Sequence, residues 1–105
     1  MNHRRMPILF SIEQKIREAD DLAGVPEMWD EVAKFWGDVR PVSGREYIEA
    51  DQVRGDVTHF ITTRYYKHAT PRMRLRTGTK TYEVESCVNM DERNRFTQWR
   101  CKEVV

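Results

Sequence analysis

The residues able to do chemistry in this chain are three histidines, two cysteines and seventeen carboxylates. His3, His59 and His68 stand alone. None forms H-x-x-x-H or pairs with a cysteine at the spacing that a zinc site needs, so no metal is expected. Cys87 and Cys101 permit one disulfide and no four-cysteine site. Both fall in strand-like segments, which predicts buried, reduced thiols. Asp20–Asp21 and Asp91–Glu92 are paired carboxylates. They lie in polar turn-like stretches, which favours solvated acids over a tuned acid/base pair. No G-x-S-x-G, Walker A or G-x-G-x-x-G occurs, and Gly24, Gly37, Gly44, Gly55 and Gly78 are scattered. The chain is expected to have no catalytic residues, no cofactor and no enzymatic activity.

A second kind of chemistry is charge. Arg72, Arg74, Arg76 and Lys80 form a basic run, with Tyr65 and Tyr66 upstream as candidate stacking groups. Together they suit a small OB-like module binding single-stranded nucleic acid. Against this, Glu83 and Glu85 follow on the next segment and are placed to neutralise the arginines. The net charge of +1 supplies no global field for a polyanion.

These residues must be positioned by one domain, residues 1–105, with a modest core. No repeat, linker or low-complexity tract divides it. Arg4 and Arg5 resemble the start of a secretory signal, but the apolar run that follows is short. Nothing reaches the ~20 apolar residues of a membrane span, so an intracellular, soluble chain without membrane contact is expected. Ile8 to Ile16 reads as a first strand, although "IEQKIREADDLAG" from Ile12 would also support a short helix. "EADDLAGVP" reads as a turn. In "EMWDEVAKFWGDV", Met28, Val32, Phe35 and Val39 recur at helical steps, so periodicity favours a helix, although Val32, Phe35, Trp36 and Val39 also suit a strand. Trp29 and Trp36 are expected in the core rather than in a ligand cage. Pro41 to Asp56 is a long connection, a kind that is often functional. "VTHFITTRYY" is dense in β-branched and aromatic residues and reads as a strand.

One hairpin can be read residue by residue. Met73 and Leu75 alternate with Arg72, Arg74 and Arg76. Tyr82 and Val84 alternate with Glu83 and Glu85. A two-residue turn at Gly78-Thr79, glycine first as type II′ requires, sets Leu75 opposite Tyr82, Met73 opposite Val84, Arg74 opposite Glu83 and Arg72 opposite Glu85. A one-residue slip would scramble both faces. Several strands and little firm helix predict an all-β domain, a small barrel or a sandwich.

Four segments also occur in a familiar order: "WDEVAKFWGDVRPVSGRE" from Trp29, "VTHFITTRY" from Val57, "YEVESCVNMDERNR" from Tyr82 and "CKEV" from Cys101. The ordered set resembles the head–tail joining proteins of tailed bacteriophages, also called head-closure or stopper proteins. The resemblance covers roughly residues 8 to 104 and implies a non-enzymatic β-barrel of about six strands with one long inter-strand loop. It would make Trp29 to Val39 a strand, against the helical periodicity, and the family reading is adopted there.

Such a protein would be a virion component at the head–tail interface, present in the host cytoplasm before assembly. It would be monomeric when free and join a homo-oligomeric ring below the portal and adaptor. That ring would close the DNA channel after packaging, contact double-stranded DNA without sequence preference and offer the tail a docking surface. The loop expected to reach the channel includes Ser43, Gly44, Arg45, Glu46, Tyr47, Glu49, Asp51 and Arg54. The candidate subunit interface is Arg64, Arg72, Arg74, Asp91, Arg93, Arg95 and an outward Trp99, since arginines and aromatics are enriched at interface cores.

Overall fold

The computed structural model describes residues 5–42 and 57–104. Six antiparallel strands form a closed barrel: β1 (Ile8–Arg17), β2 (Met28–Pro41), β3 (His59–Arg64), β4 (Met73–Thr77), β5 (Lys80–Asn89) and β6 (Phe96–Val104). The order around the barrel is β1-β2-β3-β6-β5-β4, with β4 closing onto β1. Closure pairs every strand on both sides over part of its length, which shortens the open edges to the projecting strand ends. The register shifts in β1 after Ile12 and after Lys15, and in β5 after Val84. Such bulges supply the bending that a small closed sheet requires.

The expected hairpin is present. Leu75 pairs with Tyr82 and Arg74 with Glu83, around Gly78 at φ +55° with no positive φ at Thr79. One positive φ in the glycine position agrees with type II′ rather than type I′. The β4–β5 ladder stops at Arg74–Glu83, so the expected Met73–Val84 and Arg72–Glu85 pairs lie beyond it. Met73 pairs with Gln14 of β1 instead.

Residues 28–41 are a strand, as the family resemblance implied, and the helical spacing is accidental. Ile12 pairs with Ala33 and Glu13 with Glu31, so Val32 is the extra residue of a bulge. That insertion breaks the alternation. Phe35 and Val39 pack on the core, whereas Met28 and Val32 are exposed. The turn from β1 to β2 forms as expected. Asp20 and Val25 make a two-way backbone bridge, Gly24 takes φ +69°, and the Asp20 carboxylate accepts the Leu22 and Ala23 amides.

The core is made of Phe10, Ile12, Ile61, Met73, Leu75, Tyr82, Val84, Trp99 and Cys101. Trp99, expected to point outward, is fully buried (0% exposed), and its indole N–H donates to Thr63 Oγ1 at 2.9 Å. Trp36, expected in the core, is 57% exposed. The exchange follows from strand parity. Trp99 shares its face of β6 with buried Thr97 and Cys101, while Trp36 sits between Phe35 and Gly37, which both face in.

Both cysteines are free thiols. They sit on adjacent strands but out of register, Cys101 opposite Val84 and Cys87 opposite Trp99. Burial raises both thiol pKa values, most strongly at Cys101. Because the thiolate is the nucleophile, a maleimide is expected to label Cys101 only after unfolding. Rapid labelling of the native protein at Cys101 would contradict its burial.

Candidate functional site

Among the described residues the charged side chains of this barrel are on its outer surface. The β1–β4 ladder ends at Gln14, so Lys15–Arg17 and their partners on β2 continue as a two-stranded arm. A free hairpin is marginal in water, and this one is anchored at its base. Glu13 Oε1 accepts Arg74 Nε at 2.6 Å, and its other oxygen lies 3.9 Å from Arg76. The Arg74 guanidinium carbon is 4.0 Å from the Trp29 ring centre, with Lys15 Nζ at 5.2 Å. Trp29 therefore serves as a platform for cations, and its indole N–H donates to Glu27 at 2.9 Å.

That indole bond, ahead of the opposing desolvation and the neighbouring Lys15, lowers the Glu27 pKa. A carboxyl held low in the fold contributes stability above its unfolded pKa, and the contribution is lost as pH falls through the folded value. At Lys15, desolvation works against the charge but is outweighed by the bond to Glu27 and by Glu18, and the pKa rises.

Arg74 thus finds its acid sixty-one positions away on β1 rather than directly across on Glu83. Glu13→Ala would strand a guanidinium that is mostly buried and is expected to cost about 1–3 kcal/mol. Glu83→Ala removes an exposed partner and is expected to cost less than about 1 kcal/mol. Equal losses in urea denaturation would contradict the Glu13–Arg74 assignment. A cleft of about 640 Å³ beside the arm is lined by Lys15, Trp29, Arg72, Met73, Glu83 and Glu85, among others. Among the described residues no three metal-ligating side chains cluster, and no helix is long and apolar enough to cross a membrane.

On the far side, Phe60, 6% exposed, and the half-buried Phe96 lie beneath arginines. Arg40 and Arg100 lie 5.0 and 5.8 Å from the Phe60 ring centre. Arg64 and Arg95 lie 5.2 and 5.7 Å from that of Phe96. The expected interface residues Arg64 and Arg95 are therefore brought together. Asp91 and Arg93 are exposed in the nearby β5–β6 turn. Asp91, Glu92 and Asn94 in that turn all take positive φ, and the side chains of Asn89 and Asn94 bond across it at 2.7 Å. Arg72 and Arg74 lie elsewhere, by the arm. Trp99 belongs to no surface at all.

The expected channel loop, Ser43 through Arg54, lies outside the described residues. Tyr66 is not a stacking platform for bases. Its ring packs on Phe35 and Trp99 at 5.4 and 6.3 Å, and its amide donates to Thr97 Oγ1. Missed from the sequence were Leu9, Trp36, Ile16 and Leu22, all large, apolar and exposed. Lys34 and Asp38, two residues either side of Trp36, are the signal that could have turned it outward.

Among curated proteins none matches the sequence. Solved structures do. Protein SF1141 from Shigella flexneri 2a superposes with a TM-score of 0.75 at 21% identity, covering 98% of this chain and 96% of that one. A chain of the virion of a native gene transfer agent particle superposes at 0.66 and 20% identity, covering 98% and 99%. Both likenesses are of fold. The sequence itself matches the model of the phage head completion proteins over residues 1–104. A closed six-stranded barrel with its charged groups turned outward is thus the scaffold of a structural phage protein, and the chain belongs to the phage head completion protein family.

Proposed function

We infer that the protein is a subunit of the phage neck. It joins a ring below the portal and its adaptor once DNA is packaged, closes the channel and presents the surface on which the tail docks. The occurrence of the same fold in a gene transfer agent virion supports this placement in the particle. The observation that carries the reading is the pairing of the strands on either side of residues 43–56. Pro41 pairs with His59, and the Val42 amide donates to the Thr58 carbonyl. Neighbouring antiparallel strands need only a two-residue turn. The segment between them is far longer and contains Tyr47 and Ile48 among Glu46, Glu49 and Asp51. Ordering about ten such residues costs on the order of 10 kcal/mol of backbone entropy. Contacts repeated around a ring offset that cost where one subunit could not.

The test is to replace residues 43–56 by a tight turn and assemble particles. Heads that acquire tails but lose packaged DNA are expected. Particles that retain DNA as well as those with the full segment would reduce it to a connector. Tyr66, half-buried and packed against Phe35 and Trp99, is drawn away from the base-stacking role that a single-strand-binding module would give it.

A further inference from the structure

The geometry points to a specific contact between copies of this chain, resting on the ring reading above: the β1–β2 arm tip of one copy docks on the Trp36 belt of the next. The tip presents Leu22, fully exposed, with Ile16 and Met28 also exposed at its base. Glu18, Asp20, Asp21 and Glu27 lie on the arm against Lys15 and Arg17. Solvated hairpin tips do not need a leucine, and this one combines an apolar knob with an acidic surround.

The complementary surface is on the same chain. Leu9 pairs with Trp36 across β1–β2, and both are exposed. Gly37 pairs with Thr63, so the next positions along β2 and β3 are Trp36 and Arg64, and Arg64 pairs with Phe96 of β6. Leu9, Trp36, Arg64 and Phe96 therefore form one outward row across four strands, with Arg95 over its end. An exposed tryptophan and arginines over an aromatic ring are the residues that dominate binding energy at interfaces.

The two surfaces do not meet within one subunit. Eight residues of strand, at most roughly 27 Å of extended chain, separate Met28 from Trp36, and the tip at Leu22 lies further out along the same hairpin. On the ring reading each copy gives its arm to one neighbour and its belt to the other, a heterologous contact that generates a ring when its rotation closes. Duplex DNA could also meet Arg64 and Arg95. The apolar half of the belt favours a protein partner, and the arm supplies the matching apolar and acidic groups.

The experiment uses Leu9→Cys/Leu22→Cys and the two single variants, each expressed in place of the natural chain during particle assembly. A short bismaleimide is then applied. A ladder of dimers and higher species from the double variant, absent from both singles, is expected. Particles that contain the double variant but yield only monomer overturn the contact, while the ring reading stands. Absence of the unmodified chain from particles sinks the ring reading itself.

If the folded double variant is excluded from particles, charge reversal decides. Asp21→Arg and Arg64→Glu are expected to fail alone and to incorporate together, because each supplies the other's complement. Incorporation of both singly overturns the contact. A monomer that binds a short duplex with salt-dependent affinity, lost in Arg64→Glu, together with no cross-linking, makes the belt a phosphate surface and also overturns it.

Discussion

Trp99→Ala is expected to cost about 3–5 kcal/mol, and Trp36→Ala less than about 1 kcal/mol. Trp99 has no exposed surface, stacks near Tyr66 and donates to Thr63 inside the barrel. Its removal leaves a cavity that a closed sheet cannot collapse to fill. It also takes a hydrogen bond from a buried hydroxyl. Domains of this size are stable by only about 5–15 kcal/mol, so the variant should unfold at a much lower urea concentration or fail to accumulate. Trp36 loses a cross-strand contact with Leu9 and little else. Midpoints that shift equally, or more for Trp36, would invert the assignment of core and surface.

Gly37→Ala is the second large expected effect. A methyl group built on Gly37 would lie 2.6 Å from the Thr62 carbonyl oxygen, 2.9 Å from Thr63 Cγ2 and 3.2 Å from Phe10 Cε2. The nearest of these is backbone of the paired strand, which cannot yield without lengthening the β2–β3 ladder. Overpacking of this kind costs about 1–3 kcal/mol and occasionally more. Gly78→Ala makes the contrasting control, since open space surrounds it and only its positive φ resists substitution. A Gly37→Ala protein with the parent's denaturation midpoint would mean that β2 and β3 are not packed as described.

Local rules carried the sequence reading where a single turn decided the outcome. The β4–β5 register followed from Gly78 and from two matched alternations. The β1–β2 turn followed from its Asp and Gly positions. Prediction failed where a bulge intervened. Val32 is an extra residue in β2, so exposed Met28 and Val32 matched inward Phe35 and Val39 at helical steps by accident. The parity of Trp36 on β2 and of Trp99 on β6 was read the wrong way round on each strand separately. The Glu13–Arg74 pair could not be seen, because closing β4 onto β1 is a property of the whole barrel. Interface candidates chosen for charge alone were divided between two sides of the molecule. Arg64 and Arg95 flank one ring, whereas Arg74 serves the arm.

The central claim is that this chain is a ring-forming component of the phage neck. It is tested most directly by electron cryomicroscopy of tailed particles that carry the chain, beside particles from which its gene has been deleted. The expected result is six-stranded barrels repeated around the channel axis between portal and tail, and heads without the gene that lack tails and leak DNA. Tailed, DNA-filled particles from the deletion, or a neck with no copy of this barrel, would contradict the account.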